Sequence, residues 1–313
     1  MLQSSAPAAL LRIGTRGSPL AQAQAAQVRA RLAAAHGVAA HQIELKVIRT
    51  TGDMIRDRPL SELGGKGLFT KEIEEALLAG EIDLAVHSVM DMPTVLPGGL
   101  GIAAVLPRED VRDAFISRKA TTLQDLPHGA VVGTASLRRQ ALVKRLRPDL
   151  SVVTLRGNVE TRLRKLEAGE VDATLLALAG LKRLGLAAAA TALLAVDEFP
   201  PAVGQGIIAL EARADDSRTL AMLAAVSHLD SLTALATERA FLTVLDGSCR
   251  TPIAGHAVID GRRVRFRGLI ARPDGSEVHE AQREGDVAEA FALGEDVGRE
   301  LKARAGADFF GAA

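Results

Sequence analysis

The chain has 313 residues, of which 48% are hydrophobic and 24% charged, and its formal net charge is zero. This length favours about two domains, and no apolar run reaches the roughly 18–20 residues of a membrane span. A single cysteine excludes internal disulfides and thiolate-rich zinc sites. The N-terminus lacks the basic and long apolar segments of a secretory signal, so we expect a cytoplasmic protein without membrane partner or metal.

The first part of the chain predicts an α/β lobe. A short strand at 11–15 leads into a helix at 20–35, for which Ser18 is the expected N-cap and Pro19 the first helical residue. The elements that follow are a strand at 43–50, an irregular stretch at 51–63, a glycine-rich turn at 64–67, a helix at 68–78 and a buried strand at 82–86. The turn lacks P-loop spacing, and its glycines favour mobility or close approach to a ligand.

Positive charge is concentrated between Gly133 and Lys165, where nine basic residues stand against two acidic ones. Such a concentration predicts an anionic partner. A strand at 130–134 and a strand at 152–155 each lead into a helix, and Ser136 is the expected N-cap of the first helix, at 137–146. Both junctions present arginines, whose guanidinium forks suit carboxylates and phosphates. These arginines are Arg138, Arg139, Arg156 and Arg162.

A solvated basic helix surface is the alternative interpretation of this stretch. It suits best the residues that helix periodicity turns away from the junctions, which are Arg145, Arg147, Arg164 and Lys165. Nucleic acid is another possible anion, but the chain has no Trp, no Tyr and only 3% aromatic residues. Since bases bound by proteins stack on aromatic side chains, we expect no nucleic-acid partner.

Three further residues are candidates for chemistry. Asp91 follows the strand at 82–86, at the edge where ligands meet open α/β sheets, and it is a candidate acid or base or, alternatively, a cap. His87 fits a hydrogen-bonded structural role better than a catalytic one. Cys249 is either a small buried hydrophobe or a thiolate that attacks carbon, which the adjacent Arg250 would favour.

An internal similarity predicts two related lobes. Residues 13–15 resemble residues 132–134, and each trio is followed by a serine and a helix. Two lobes of this kind enclose a cleft, which is a usual ligand site. The predicted connections between the lobes lie at 110–114 and 199–206, followed by a strand at 207–211 that returns to the first lobe.

The last part of the chain predicts a small α+β domain. A helix capped by Asp230 or Ser231 runs to Leu245, and alternating strands with Asp-Gly turns follow. A final helix is expected at 287–305. The loop between the first helix and the strands carries Cys249.

From about residue 11 to residue 305, the chain resembles the porphobilinogen deaminases, also called hydroxymethylbilane synthases. The matching stretches are Arg12–Arg16 with Ser18–Ala21, Gly64–Phe69, His87–Ser88 with Asp91 and Pro93, Gly133–Thr134 with Ser136–Gln140, Leu155–Asn158, Ala179–Gly185, Pro201–Gly206, and Gly247–Cys249 with Pro252. Their joint occurrence in this order makes the resemblance specific.

The resemblance implies an α/β fold with two lobes like type II periplasmic binding proteins and a small C-terminal α+β domain. The implied bounds are 1–106 with 207–226, 107–206, and 227–313. It also implies a transferase that joins four porphobilinogen molecules head to tail with loss of ammonia, on a dipyrromethane primer, and hydrolyses off linear hydroxymethylbilane for haem synthesis. A monomer whose partners are porphobilinogen and oligopyrrole intermediates is expected.

The resemblance also implies site roles. Asp91 would be the catalyst, hydrogen-bonding pyrrole N–H groups and stabilising the cation formed as ammonia leaves. The dipyrromethane cofactor would be held by a thioether to Cys249 and by Ser136, Arg138, Arg139, Arg162, Lys66, Asp53, Thr134 and Gln205. The substrate would contact Arg16, Ser18, Arg156 and Arg183.

Two positions depart from the family pattern. Met90 stands where a lysine is common, and Glu62 where a basic residue is common. Our hypothesis is a working but slower enzyme. The competing functions are a non-catalytic two-lobed anion-binding protein and, less favoured, an RNA-binding protein that uses the basic stretch.

Overall fold

The computed structural model describes residues 9–54, 67, 69–245, 252–306 and 309, with the backbone alone for residues 53 and 54. The strands are β1 (Leu11–Arg16), β2 (Ile43–Ile48), β3 (Leu84–Ser88), β4 (Leu100–Val105), β5 (Asp113–Ser117), β6 (Val131–Gly133), β7 (Ser151–Val153), β8 (Ala173–Ala177), β9 (Ala192–Leu193), β10 (Ile208–Arg213), β11 (Ile253–Asp260), β12 (Arg263–Ala271) and β13 (Val278–Asp286). The α-helices are α1 (Pro19–His36), α2 (Thr51–Met54), α3 (Lys71–Leu78), α4 (Leu137–Leu146), α5 (Val159–Glu167), α6 (Leu178–Arg183), α7 (Ser217–Ala224), α8 (Leu229–Val244) and α9 (Ala290–Ala305).

Two five-stranded sheets have the same strand order. The first runs β2-β1-β3-β10-β4 and the second β7-β6-β8-β5-β9. In each sheet four strands are parallel to one another, and one strand that arrives from the other lobe lies antiparallel to them, namely β10 in the first and β5 in the second. This is the exchanged-strand arrangement of type II periplasmic-binding lobes, so the predicted two-lobed α/β fold is confirmed. The distribution of strands supports the predicted domain bounds, which stay a prediction.

The internal similarity of the sequence has a packing reason. A Cβ on Gly14 would lie 2.3 Å from Ile82 Cδ1, and a Cβ on Gly133 would lie 2.9 Å from Leu155 Cβ. Both glycines therefore let an apolar side chain lie over the second strand of its sheet, which is β1 in the first lobe and β6 in the second. The helix that follows each glycine is capped by the predicted serine, since Ser18 Oγ accepts from Ala21 N at 3.3 Å and Ser136 Oγ from Arg139 N at 3.4 Å.

The C-terminal domain is an antiparallel sheet, β11-β12-β13, covered by α8 and α9. Phe241 of α8 and Phe266 of β12 meet edge to face, with ring centroids 5.2 Å apart. The predicted cap of α8 was wrong, because His228 caps it and its Nδ1 accepts from Ser231 N at 3.2 Å.

Among the described helices, none alone has the length and apolar composition needed to cross a membrane. One pair, α7 with α8, meets that test only when joined across a bend of 114°.

Candidate functional site

Asp91 lies where the sequence predicts it, in a 3-10 turn (Val89–Asp91) just after β3. The buried side chains of Val89 and Met92 hold this turn against the protein, while the Asp91 side chain stays 38% exposed. Met90 is also exposed, so the two methionines do not enclose the carboxylate. The result is a carboxylate that is anchored through its neighbours but open to a ligand.

Arg16, at the end of β1, pairs with this carboxylate. Its Nη1 donates to Asp91 Oδ2 at 2.8 Å, and its guanidinium carbon lies 4.2 Å from the centroid of the Phe69 ring. Contact with an aromatic ring and a carboxylate orients the planar guanidinium. The parallel order of β1 and β3 explains the pairing, since both strands end at the same edge of the sheet.

The second lobe supplies arginines opposite Asp91. Arg162 lies on α5, behind its N-cap Asn158, and its Nε donates to Gly157 O at 2.8 Å. Burial lowers the pKa of Arg162 to about 10, the positive charges of Arg139 and Arg156 act in the same direction, and Asp91 opposes them. Asp91 of the first lobe and Arg139 and Arg156 of the second therefore lie within electrostatic range of Arg162. A bound carboxylate would relieve the repulsion among the arginines.

Arg138 and Arg139 are buried and bind an anion of the chain itself. Each guanidinium donates to Asp113 through its Nη2 at 2.8 Å, and Asp113 is fully buried at the start of β5. Burial by itself raises the pKa of Asp113, but the two guanidinium groups outweigh it and hold that pKa below its ordinary value. Arg138 also donates to Pro200 O at 2.7 Å. Asp113 is therefore an internal anion beside the arginines in the first turn of α4, and cofactor binding by these arginines stays a prediction.

Thr134 and Gln205 both hydrogen-bond main-chain atoms near the cluster of Asp113, Arg138 and Arg139. Thr134 Oγ1 accepts from Ser136 N at 3.1 Å, which shapes the turn before α4. Gln205 is fully buried, and its Nε2 donates to Val111 O at 2.6 Å and to Asp113 Oδ1 at 3.0 Å. It joins the two connections between the lobes. Through these hydrogen bonds both residues stabilise the main chain around the site.

Arg183 lines a separate pocket of about 340 Å³ between α1 and α6, and therefore between the lobes. Its Nη2 donates to Gly206 O at 2.7 Å, and burial lowers its pKa to about 10. Lys182, in the same pocket, pairs with Glu109 at 2.7 Å. Ser18 is engaged as the cap of α1. The structure thus pairs Arg16 with Asp91, puts Arg139, Arg156 and Asp91 within electrostatic range of Arg162, and puts Arg183 at a separate pocket.

Several predicted residues lie outside the described part of the chain, namely Lys66, Glu62, Cys249 and the side chain of Asp53. Among the residues that are described, no group of three or more His, Cys, Asp or Glu side chains could hold a metal ion. His87 is buried and hydrogen-bonds Glu211 Oε2 at 3.1 Å, which confirms its structural interpretation.

Sequence reasoning missed a buried carboxylate that joins the third domain to the lobes. Glu238 of α8 is fully buried, pairs with Arg108 and accepts from Gly204 N at 2.6 Å and Ala257 N at 2.8 Å. Arg108 Nε in turn donates to Gln205 O at 2.9 Å. In the sequence, the adjacent charged residues Glu238 and Arg239 interrupt an otherwise apolar stretch of helix. This interruption is the pattern from which a buried carboxylate could have been predicted.

Comparison with known proteins shows which family the sequence resembles. Residues 11–221 match the family described as "Porphobilinogen deaminase, dipyromethane cofactor binding domain", and residues 231–303 match "Porphobilinogen deaminase, C-terminal domain". Porphobilinogen deaminase of Nitrobacter hamburgensis is 63% identical over 310 residues, which cover 99% of this chain and 98% of the relative. The protein of the same name from Paracoccus denitrificans is 58% identical over 310 residues, covering 99% of each.

Among solved structures, a nutrient binding protein from Burkholderia cenocepacia bound to methionine overlaps with 69% of this chain and 90% of its own. The identity is 16% and the TM-score 0.41.

Proposed function

The chain belongs to the porphobilinogen deaminase family, and from this premise we propose that porphobilinogen units are joined in the cleft between its two lobes, at Asp91. The enzyme is a hydroxymethylbilane synthase, a transferase that uses porphobilinogen as substrate and a dipyrromethane cofactor. The alternative of a non-catalytic anion-binding protein is not favoured. One observation carries the assignment of the site: a half-open carboxylate of one lobe is opposed by clustered arginines of the other.

Asp91 acts on the reacting pyrrole. Its carboxylate accepts hydrogen bonds from pyrrole N–H groups and faces the positive charge that develops as ammonia leaves porphobilinogen. A fixed negative charge in a water-poor cleft stabilises such a cation by several kcal/mol. Arg16, at 2.8 Å, orients this carboxylate.

The arginines bind the carboxylates of the pyrroles. Each porphobilinogen carries an acetate and a propionate, and bidentate guanidinium forks match both groups. The substrate contacts are Arg16, Ser18, Arg156 and Arg183. Arg183 is well placed to receive an incoming unit, since it lines the pocket between the lobes.

The donor set of the cleft fits the dipyrromethane cofactor, which has four carboxylates and two pyrrole N–H groups. When bound, this group supplies the pyrrole end onto which new units are added. Cys249 attaches it by a thioether, and its other contacts are Ser136, Arg138, Arg139, Arg162, Lys66, Asp53, Thr134 and Gln205. Among the described residues, the Nε of buried Arg138 has no hydrogen-bond partner, and this supports a contact there because a buried donor without a partner is costly.

The compartment, oligomeric state, partners and domain bounds of the enzyme complete the proposal. It is a cytoplasmic monomer that handles oligopyrrole intermediates and binds neither nucleic acid nor membrane. Its domains span 1–106 with 207–226, 107–206, and 227–313. The division of the strands among three sheets supports these bounds.

The test is an Asp91→Asn variant, with Arg145→Met as a control on the exposed side of α4. We expect Asp91→Asn to lower the rate of ammonia release on the order of 10²- to 10³-fold. Its intact mass should still include the cofactor, because cofactor attachment depends on Cys249. The control should keep the wild-type rate. An Asp91→Asn rate within twofold of wild type would remove Asp91 from the chemistry.

A further inference from the structure

Helix α8 of the third domain packs directly on the turn that carries Asp91. Leu235 of α8 belongs to one buried apolar cluster with Val89 and Met92, the residues on either side of Met90 and Asp91. The cluster also includes Ile207, at the return to the first lobe. The position of the Asp91 turn therefore depends on a helix outside its own lobe.

Arg239 lies one turn further along the same side of α8. Its Nη2 donates to Pro93 O at 2.9 Å and to Thr94 O at 2.6 Å, so it holds the backbone just after Asp91. Burial lowers the pKa of Arg239, and the nearby Glu211 opposes this effect. Within the described part of the chain, its hydrogen bonds go to these two carbonyls and not to a carboxylate. Such bonds fix direction as well as distance.

Cys249 follows this helix closely in the sequence. Helix α8 ends at Val244, and Cys249 follows it in the sequence. Five residues span at most about 18 Å even when fully extended. Any shift of α8 relative to the Asp91 turn thus changes the space available to a pyrrole chain attached to Cys249.

The attachment of α8 to the rest of the protein does not depend on Arg239. The neighbouring Glu238 joins the helix to Arg108, to Gly204 and to β11 through Ala257. Loss of Arg239 therefore leaves the domain anchored while it frees the segment behind Asp91. A substitution of Arg239 can therefore change the alignment of α8 with the Asp91 turn without detaching the third domain.

We propose that Arg239 is a positioning residue, which sets the register between helix α8 and the Asp91 turn. The inference rests on the proposed roles of Cys249 and Asp91. It concerns turnover, since the substrate's carboxylates bind to other arginines. A misplacement of about 1 Å between reacting groups can cost on the order of 100-fold in rate.

The experiment compares Arg239→Met, Arg239→Lys and the control Arg218→Met in the full-length enzyme. Arg218 also donates to a backbone carbonyl, that of Leu10 at 2.8 Å, but does so on α7 of the first lobe. The measurements are intact mass, kcat and KM for porphobilinogen, and the distribution of enzyme-bound intermediates by native mass spectrometry.

We expect Arg239→Met to carry the cofactor, to keep KM within about twofold and to lose on the order of 10- to 100-fold in kcat, with bound intermediates accumulating. Arg239→Lys should recover part of the rate because an ammonium can donate to the same carbonyls. Arg218→Met should behave as wild type.

Three results would overturn the inference. They are an unchanged kcat in Arg239→Met, an Arg239→Lys variant no better than Arg239→Met, and a loss of rate that follows loss of folded protein in both variants. An inactive wild-type enzyme would instead contradict the function itself, so the two failures are distinguishable.

Discussion

The buried charge cluster around Asp113 allows the sharpest stability prediction. Asp113→Asn keeps the shape of the side chain but removes the anion that two guanidinium groups share at 2.8 Å. The side chains of Arg138 and Arg139 are only 5% and 8% exposed, so water cannot replace the lost charge. Removing one partner of a buried ion pair costs about 3–5 kcal/mol. Because Asp113→Asn leaves two buried cations without their anion, we expect a loss of unfolding free energy at the upper end of that range.

The assay is urea unfolding followed by circular dichroism at 222 nm, because the chain has no Trp or Tyr for fluorescence. In thermal unfolding the same loss lowers the first transition by roughly 6–20 °C. Glu284→Gln is the matched control, since Glu284 also pairs with an arginine, Arg263 at 2.6 Å, but on the surface, where the two side chains are 40% and 68% exposed. The control should leave the midpoint unchanged. A loss below about 1 kcal/mol in Asp113→Asn would refute the structural role of the cluster.

Three further predictions concern charge. Met90→Lys should raise kcat severalfold by placing a cation beside Asp91. The control Val95→Lys, on the exposed loop nearby, should leave kcat unchanged. Equal rates in the two variants would contradict this prediction. Burial raises the pKa of Glu74 above its ordinary 4.5. The folded state therefore holds this proton more tightly than the unfolded state does. The stability that results is lost as the pH rises through the raised pKa. Glu74→Gln should therefore stabilise the protein against urea at pH 8 and flatten its pH dependence, and destabilisation at pH 8 would oppose that account. Since the pKa values of Arg162 and Arg183 are about 10, inhibition by a pyrrole dicarboxylate without an amine should weaken as pH rises through 10; constant inhibition would exclude these arginines as its partners.

Local signals predicted the parts of the fold that depend on neighbouring residues. The caps Ser18 and Ser136, the strand-to-helix junctions and the turn with Asp91 all follow from short motifs, and the structure confirms their positions. The presence of two related lobes followed from an internal similarity whose physical basis is the room that Gly14 and Gly133 leave for an apolar side chain.

Contacts that join distant parts of the chain could not be predicted. Asp113 meets Arg138 and Arg139 because β5 runs antiparallel to β8, and no local pattern specifies that pairing. Arg239 reaches Pro93 across 146 positions of sequence. The strand β4 and the helix α7 also escaped prediction, because their burial depends on partners elsewhere in the lobe.

The most direct test of the central claim is the intact mass of the purified protein beside that of Cys249→Ala. The account predicts that the wild type exceeds its sequence mass by two linked pyrrole units and that the variant does not. A wild-type mass that stays unmodified even after incubation with porphobilinogen would contradict it.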